Sequence, residues 1–167
     1  MKVTIKQDIL KEENRIAARN RRLLEKNGVS AFNLIGSPGA GKTSLIEAAH
    51  RSLSGRHRLG VIEGDLASDK DTVRLKELGM AALQINTGRG CHLSPKMVED
   101  ALSEMDLAAI DILIIENVGN LVCPVSFDLG EVAKIGLVSV AEGDDKPTKY
   151  PLLFMEAEVV ILNKVDQ

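Results

Sequence analysis

From residue 30 onward, short apolar runs alternate with stretches whose apolar positions recur every third or fourth residue. The runs fall at 31–35, 59–62, 82–85, 110–115, 135–140 and 157–162. Each is continuous rather than alternating, which predicts strands covered on both faces. The intervening stretches 42–53, 69–78 and 95–108 carry helical periodicity. Strand–helix alternation of this kind predicts an α/β fold, a three-layer sandwich around a mostly parallel sheet. In such sheets ligands gather at the carboxyl ends of the strands.

Residues 6–26 differ from the rest. They are highly charged and free of Gly and Pro, with Ile9, Ile16 and Leu23 at seven-residue spacing and Asn27-Gly28 as a stop. This predicts an N-terminal amphipathic helix within residues 1–28, packed on the flank of a domain spanning 29–167; a partner-binding helix is the alternative.

Composition narrows the choices. The 167 residues suit one domain with a real core. Aromatic residues make up 2% with no Trp, so Leu, Ile, Val, Met and Ala must build that core, and a base-stacking nucleic-acid platform is excluded. A net charge of −3 provides no footprint for nucleic acid or an anionic membrane. No apolar run approaches the roughly 20 residues of a membrane span, and the charged first 30 residues argue against a signal peptide. With only two cysteines, Cys91 and Cys123, a reducing cytoplasm is the default location.

The first strand runs directly into Gly36-Ser37-Pro38-Gly39-Ala40-Gly41-Lys42-Thr43, followed by Ser44 and a helix. This satisfies G-x-x-x-x-G-K-[ST] in its strand–loop–helix setting, the P-loop of nucleoside triphosphatases. Glycines let successive N–H groups turn inward on phosphates, and the helix N-terminus adds partial positive charge. Lys42 then reaches the β- and γ-phosphates, and the Thr43 hydroxyl ligates Mg²⁺.

Two further strands end on acids. Residues 59–62 lead to Glu63-Gly64-Asp65, and 110–115 lead to Glu116-Asn117-Val118-Gly119. Glu116 is assigned to the Mg²⁺ shell and the Gly119 N–H to sensing the γ-phosphate. Asp65 is assigned to a metal-bound or attacking water. Glu63 is set aside as pointing the other way along its strand.

The last apolar run ends in Asn163-Lys164-Val165-Asp166, which resembles the guanine-selecting element of P-loop GTPases. A carboxylate at Asp166 accepts from both guanine N1–H and its exocyclic amine, donors that adenine lacks. Asn163 would read the other purine edge while the Lys164 stem covers the ring. The chain stops one residue later, at Gln167, whereas GTPases continue with a further helix and strand. This predicts a C-terminally incomplete domain.

Both cysteines and one of three histidines lie in loops after strands: Cys91 and His92 in Thr87–Leu93, Cys123 just before Pro124. Two thiols and an imidazole suit Zn²⁺ or Ni²⁺ rather than Mg²⁺. Three ligands do not close a tetrahedral site, and sharing between two subunits would complete the count. Composition alone leaves open whether these side chains bind metal or are ordinary core and surface residues.

Taken together, GSPGAGKTS at 36–44, EGDLAS at 63–68, NTGRGCHL at 86–93, ENVGNLVCPVSFDLGE at 116–131, SVAEGDDKP at 139–147 and NKVD at 163–166 resemble the hydrogenase nickel-incorporation GTPases, relatives of the urease accessory GTPase. The resemblance implies a slow GTPase that forms a homodimer with nucleotide. It implies delivery of Ni²⁺ to a [NiFe]-hydrogenase large-subunit precursor alongside other maturation proteins. It also maps an interface metal site onto Cys91, His92 and Cys123. A regulatory GTPase with structural cysteines and a small-molecule P-loop kinase are the competing readings. The kinase would need an Arg-rich lid and an adenine signal, and neither is evident.

Overall fold

The computed structural model describes residues 2–65 and 69–167, so Leu66, Ala67 and Ser68 of the EGDLAS segment lie outside the described residues. Described side chains begin at Leu10, which leaves Ile9 of the predicted seam outside them as well. In chain order the elements are α1 (Lys2–Lys26), β1 (Ser30–Gly36), α2 (Lys42–Leu53), β2 (Leu59–Asp65), α3 (Lys70–Glu77), β3 (Ala81–Asn86), α4 (Pro95–Glu104), β4 (Ile112–Glu116), β5 (Ala133–Ser139), α5 (Lys146–Lys149), α6 (Pro151–Glu156) and β6 (Val159–Asn163).

The six strands form one sheet in the order β3-β2-β4-β1-β5-β6, and every described pairing is parallel. The α/β expectation therefore holds, with parallel pairing throughout. Continuous apolar runs do bury both faces of the central strands. Ala31, Ile62, Leu113 and Ile115 pack toward α4 and the C-terminal end of α1. Leu34, Val61 and Leu137 pack on the other face, toward α2 and α3. The edges differ: β3 is half-exposed, and in β6 Val159 and Leu162 are exposed. An edge strand has a neighbour on one side only, so the pattern overstates its burial.

Several elements depart from the periodicity. The helix begun at Pro95 ends at Glu104, because Met105 is extended and Asp106 caps a separate 3-10 turn at Leu107–Ala109. Ile110 and Asp111 precede β4, where the Asp111 carboxylate accepts from the Arg58 backbone N–H at 2.8 Å and its guanidinium at 2.6 Å. The short Pro-initiated helix α6 was not predicted. A single turn and a half carries little periodic signal, yet it delivers the fully buried Leu153 to a third apolar cluster with Ile35, Leu121, Val125 and Val138.

Helix α1 lies on the domain flank, and Gly28 at φ +70° ends it as expected. Its buried face is Ile16, Ala17, Asn20 and Leu24, while Leu23 is 37% exposed. A seven-residue repeat drifts round a straight helix of 3.6 residues per turn, so the seam moves on to Leu24. Asn20 is a buried polar latch, its Nδ2 donating to the carbonyls of Pro95 (2.9 Å) and Leu129 (3.0 Å). Arg19 pairs with Glu99 and Arg21 with Asp128 around it. None of the described helices is long and apolar enough to cross a membrane.

The docking of α1 depends on Gly130, held at φ +100° with the helix directly above it. A methyl group there would lie 2.7 Å from Asn20 Cβ, 2.8 Å from the Arg21 nitrogen and 2.9 Å from the Ala17 oxygen. Backbone atoms of a helix cannot yield as a side-chain tip can. Gly130→Ala is therefore expected to destabilise the protein by roughly 2–5 kcal/mol, combining positive-φ strain with overpacking. A chemical-denaturation midpoint unchanged from wild type would contradict this.

Candidate nucleotide and metal sites

The parallel register brings the ends of β1, β2 and β4 to one level, with Glu116 opposite both Leu34 and Glu63. A cleft of about 550 Å³ opens there, lined by the 38–44 loop, Glu63, Gly64, Asp65, Asp71, Arg74, the 116–119 segment and Lys164. Of the residues singled out in the sequence, Gly39, Gly41, Lys42, Thr43, Ser44, Asp65, Glu116, Gly119 and Lys164 line it.

The loop conformation follows from its glycines. Gly39 and Gly41 take φ +75° and +99°, which place them in the left-handed region. A methyl group on Gly41 would meet Asn163 Nδ2 at 2.5 Å, and one on Gly36 would meet the Leu137 carbonyl oxygen at 2.9 Å. Lys42, 8% exposed, donates from Nζ to the carbonyls of Gly36 (3.2 Å) and Ser37 (3.3 Å). Burial pulls its pKa down, against the opposing pull of Glu116.

The Thr43 hydroxyl stands 3.3 Å from Glu116 Oε1 and 3.4 Å from Oε2. Burial pushes the Glu116 carboxyl up to about 7; Lys42 opposes that shift while Glu63 and Asp71 add to it. Asp65 is half-buried at the end of β2.

Glu63 was misjudged from the sequence. Alternate residues of a strand share a face, so Glu63 and Asp65 both turn to the cleft. Glu63 is buried, accepts from the Thr72 hydroxyl, and is raised in pKa chiefly by burial. Period-two counting along β2 would have found it. Asp71 and Arg74 of α3 also line the cleft, Arg74 held by the buried Glu47. Hard oxygen donors thus converge beside a loop built for phosphate, a set that fits Mg²⁺.

Of the Asn163-Lys164-Val165-Asp166 segment, which follows from β6, only Lys164 lines the cleft. Asn163 Nδ2 donates to the Ala40 carbonyl at 2.8 Å, and Lys164 Nζ to that of Gly39 at 2.9 Å. The segment braces the phosphate loop directly, with Lys164 at φ +56° and Asp166 exposed.

Among the described residues, Cys91, His92 and Cys123 form a group with ligand atoms all within 4.8 Å of one another. Neither cysteine is a core residue: both are free thiols, Cys91 exposed and Cys123 half-buried. Cys91 Sγ lies 3.5 Å from His92 Nδ1, and the His92 ring stacks on Phe127 with centroids 4.1 Å apart. Contact with Cys123 raises the Cys91 pKa, and burial lowers that of His92, which favours the neutral imidazole a metal requires. The soft donor set fits Ni²⁺ or Zn²⁺. His50 and His57 take no part; His57 is exposed and His50 contacts the Leu78 carbonyl.

The Glu116 shift has a consequence for the metal- and nucleotide-free protein. Folded, this carboxyl titrates near 7; unfolded, near 4.5. The folded state then holds more protons between those values. The stabilising contribution is complete below about 4.5 and is lost as the pH rises through about 7. Glu116→Gln removes the loss, so its stability relative to wild type should rise between about pH 5 and pH 8, by on the order of a few kcal/mol. Denaturation curves that differ equally at both pH values would contradict it.

Comparison with known proteins agrees with this arrangement. Residues 30–167 match the family profile described as "CobW/HypB/UreG, nucleotide-binding domain". Over 164 residues the chain is 48% identical to the hydrogenase maturation factor HypB of Rhizobium leguminosarum bv. viciae, covering 98% of this chain and 55% of that protein. The crystal structure of HypB from Helicobacter pylori in complex with nickel matches with a TM-score of 0.89 at 43% identity, covering 93% of this chain and 73% of that one. HypB from Archaeoglobus fulgidus matches with a TM-score of 0.87 at 41% identity, covering 94% and 76%. The chain spans about half the length of the curated relatives it matches first. By sequence and by fold, the chain belongs to the CobW/HypB/UreG nucleotide-binding family and, within it, to the HypB maturation factors.

Proposed function

We propose that this chain binds and hydrolyses GTP with Mg²⁺, and that the nucleotide state governs a nickel ion shared between two copies of the chain. One observation carries the reading: a single loop serves both sites. It begins after β4 at Glu116, which faces Thr43 in the cleft, and runs to Cys123, which joins Cys91 and His92.

In this reading the 36–44 loop, from Gly36 and Ser37 through Gly39, Ala40 and Gly41 to Lys42, Thr43 and Ser44, surrounds the phosphates. Lys42 exchanges the Gly36 and Ser37 carbonyls for β- and γ-phosphate oxygens. Thr43 and Glu116 hold the magnesium, with Asp65 on its water shell. When bound, Mg²⁺ supplies positive charge against the phosphate oxygens as charge shifts toward the leaving group. Asp65 orients the attacking water. The water oxygen bonds to the γ-phosphorus as the bond to the β–γ bridging oxygen breaks; GDP leaves with that electron pair beside the Lys42 ammonium, and the water's proton passes to a γ-phosphate oxygen. Gly119 senses whether the γ-phosphate is present. Asp166 selects guanine by accepting from its N1–H and amine, while Asn163 and Lys164 hold the loop beneath.

Cys91, His92 and Cys123 supply half of a shared nickel shell, and Zn²⁺ is the other ion that such donors take. The exposed Cys91 thiol suits an ion that must leave again. Nickel as cargo, a hydrogenase large-subunit precursor as recipient, other maturation proteins as partners and a cytoplasmic location are the family's implications. Of these, the nickel complex of HypB from Helicobacter pylori supports the ion, and the hydrogenase maturation factors among the relatives support the maturation setting.

Phosphate release from GTP is the direct test. Lys42→Ala should lower turnover by about 100-fold or more, and unchanged turnover would sink the phosphate-loop assignment. Asp166→Asn should reduce the preference for GTP over ATP by about tenfold or more. Undiminished selection would mean that another element reads the base.

A further inference from the structure

Asn117 stands between the two sites, and no part of the proposed chemistry uses it. Its backbone N–H still belongs to the sheet, donating to the Leu34 carbonyl at 3.0 Å. Its side chain, 1% exposed, leaves the sheet and joins two loops. Oδ1 accepts the Leu93 N–H at 3.0 Å and the Val118 N–H at 3.0 Å. Leu93 directly follows His92; Val118 directly precedes Gly119. A single buried oxygen therefore takes one hydrogen bond from the metal loop and one from the nucleotide loop.

The orientation of this amide is determined by its surroundings. With Oδ1 engaged by two donors, Nδ2 faces Asn33 and donates to its Oδ1 at 3.1 Å. Asn33 Nδ2 then donates to Glu131 Oε1 at 3.3 Å, and Glu131 Oε2 accepts the Leu129 N–H at 2.6 Å. Asn33 is 0% exposed and Glu131 6%. Reversing the Asn117 amide would set its NH₂ against two N–H donors and leave buried polar groups without partners. The chain of amides holds the shared acceptor in place.

Both loops are also tightly packed at this point. A methyl group on Gly119 would lie 2.7 Å from Pro38 Cγ and 3.1 Å from the Pro38 nitrogen, so Gly119 rests on the phosphate loop. One on Gly64 would lie 2.8 Å from Leu93 Cγ, so Leu93 rests on β2 between Glu63 and Asp65. A movement of Val118-Gly119 toward a phosphate has little slack to absorb it and acts on the oxygen that holds Leu93.

We infer that Asn117 is a positioning residue that couples the nucleotide state to the geometry of Cys91 and His92 through its shared Oδ1 acceptor. The inference rests on the switch reading above, yet it makes a demand of its own. An interaction that merely stabilises the fold would weaken both nucleotide states alike. A coupling residue alters the ratio between them.

The test uses the full chain with GDP or a non-hydrolysable GTP analogue, each with Mg²⁺, and two readouts: the rate of Cys91 alkylation without metal, and Ni²⁺ affinity by competition with a chelator. In wild type both should differ between nucleotides by about tenfold. In Asn117→Ala both ratios should fall to within about twofold of unity while nucleotide is still bound. If Asn117→Ala fails to fold, Asn117→Ser, whose hydroxyl is too short to span both loops, carries the same expectation. Full ratios in the Ala or Ser variant, or no nucleotide dependence in wild type, would overturn the coupling. Nucleotide-dependent alkylation that Asn117→Ala abolishes, with no Ni²⁺ bound in any state, would uphold the coupling and refute the nickel reading.

Discussion

The register of β4 between β1 and β2 is the constraint from which the rest follows. Parallel pairing sets Glu116 opposite Glu63 on one side and Leu34 on the other, with the phosphate loop starting two residues beyond Leu34. Two carboxyls are thereby buried side by side at the end of the sheet, with Asp65 and Asp71 on the same cleft. Burial disfavours the ionised forms and raises the Glu116 carboxyl to about 7 and that of Glu63 as well, with neighbouring acids adding to both shifts. A one-residue slip of β4 would turn Glu116 to the opposite face and remove the strain together with the site. A divalent cation relieves the same strain without a slip, because opposite charge restores the ionised carboxylate. Under the proposed binding of Mg²⁺ and phosphate, the least favourable feature of the cleft would become favourable.

The strand end that creates this strain also begins the loop to the second site. Glu116, Asn117, Val118 and Gly119 occupy successive positions with different roles: facing Thr43, bridging to Leu93, donating to the bridge, and resting on Pro38. Cys123 follows in a short 3-10 turn, and Phe127 beyond it stacks on His92. The Cys91, His92 and Cys123 group is therefore assembled from two loops that share one buried acceptor. Helix α1 closes the far side, where Asn20 accompanies the Leu129 and Glu131 end of the same polar chain.

Much of this was legible in the sequence because local chemistry wrote it there. Gly39 and Gly41 adopt the positive φ that a phosphate-binding turn needs, and the continuous apolar runs of β1, β2 and β4 are those of doubly covered strands. The resemblance to hydrogenase nickel-incorporation GTPases was carried by long motifs around Cys91 and Cys123, and the comparisons show that family. What stayed hidden divides in two: local periods of strand and helix, and partners far apart in the chain. Glu63 was discarded through a miscounted strand period, although Glu63 and Asp65 share one face. The α1 seam was drawn through Leu23 by a heptad, when the helix turns Leu24 inward. Nothing local marks Asn117 as a bridge, since its partners Asn33 and Leu93 lie 84 and 24 residues away in sequence.

In the proposed function, nucleotide and transition metal meet in one assembly of two chains. Native mass spectrometry of the wild type and Cys91→Ala measures this most directly, with Ni²⁺ and Zn²⁺ offered in turn, with and without Mg²⁺ and a non-hydrolysable GTP analogue. One transition-metal ion per nucleotide-bound dimer is expected, lost in the variant while the nucleotide remains. Nucleotide-bound protein that takes up no transition metal in any state would contradict it and leave a switch whose cysteines serve another purpose.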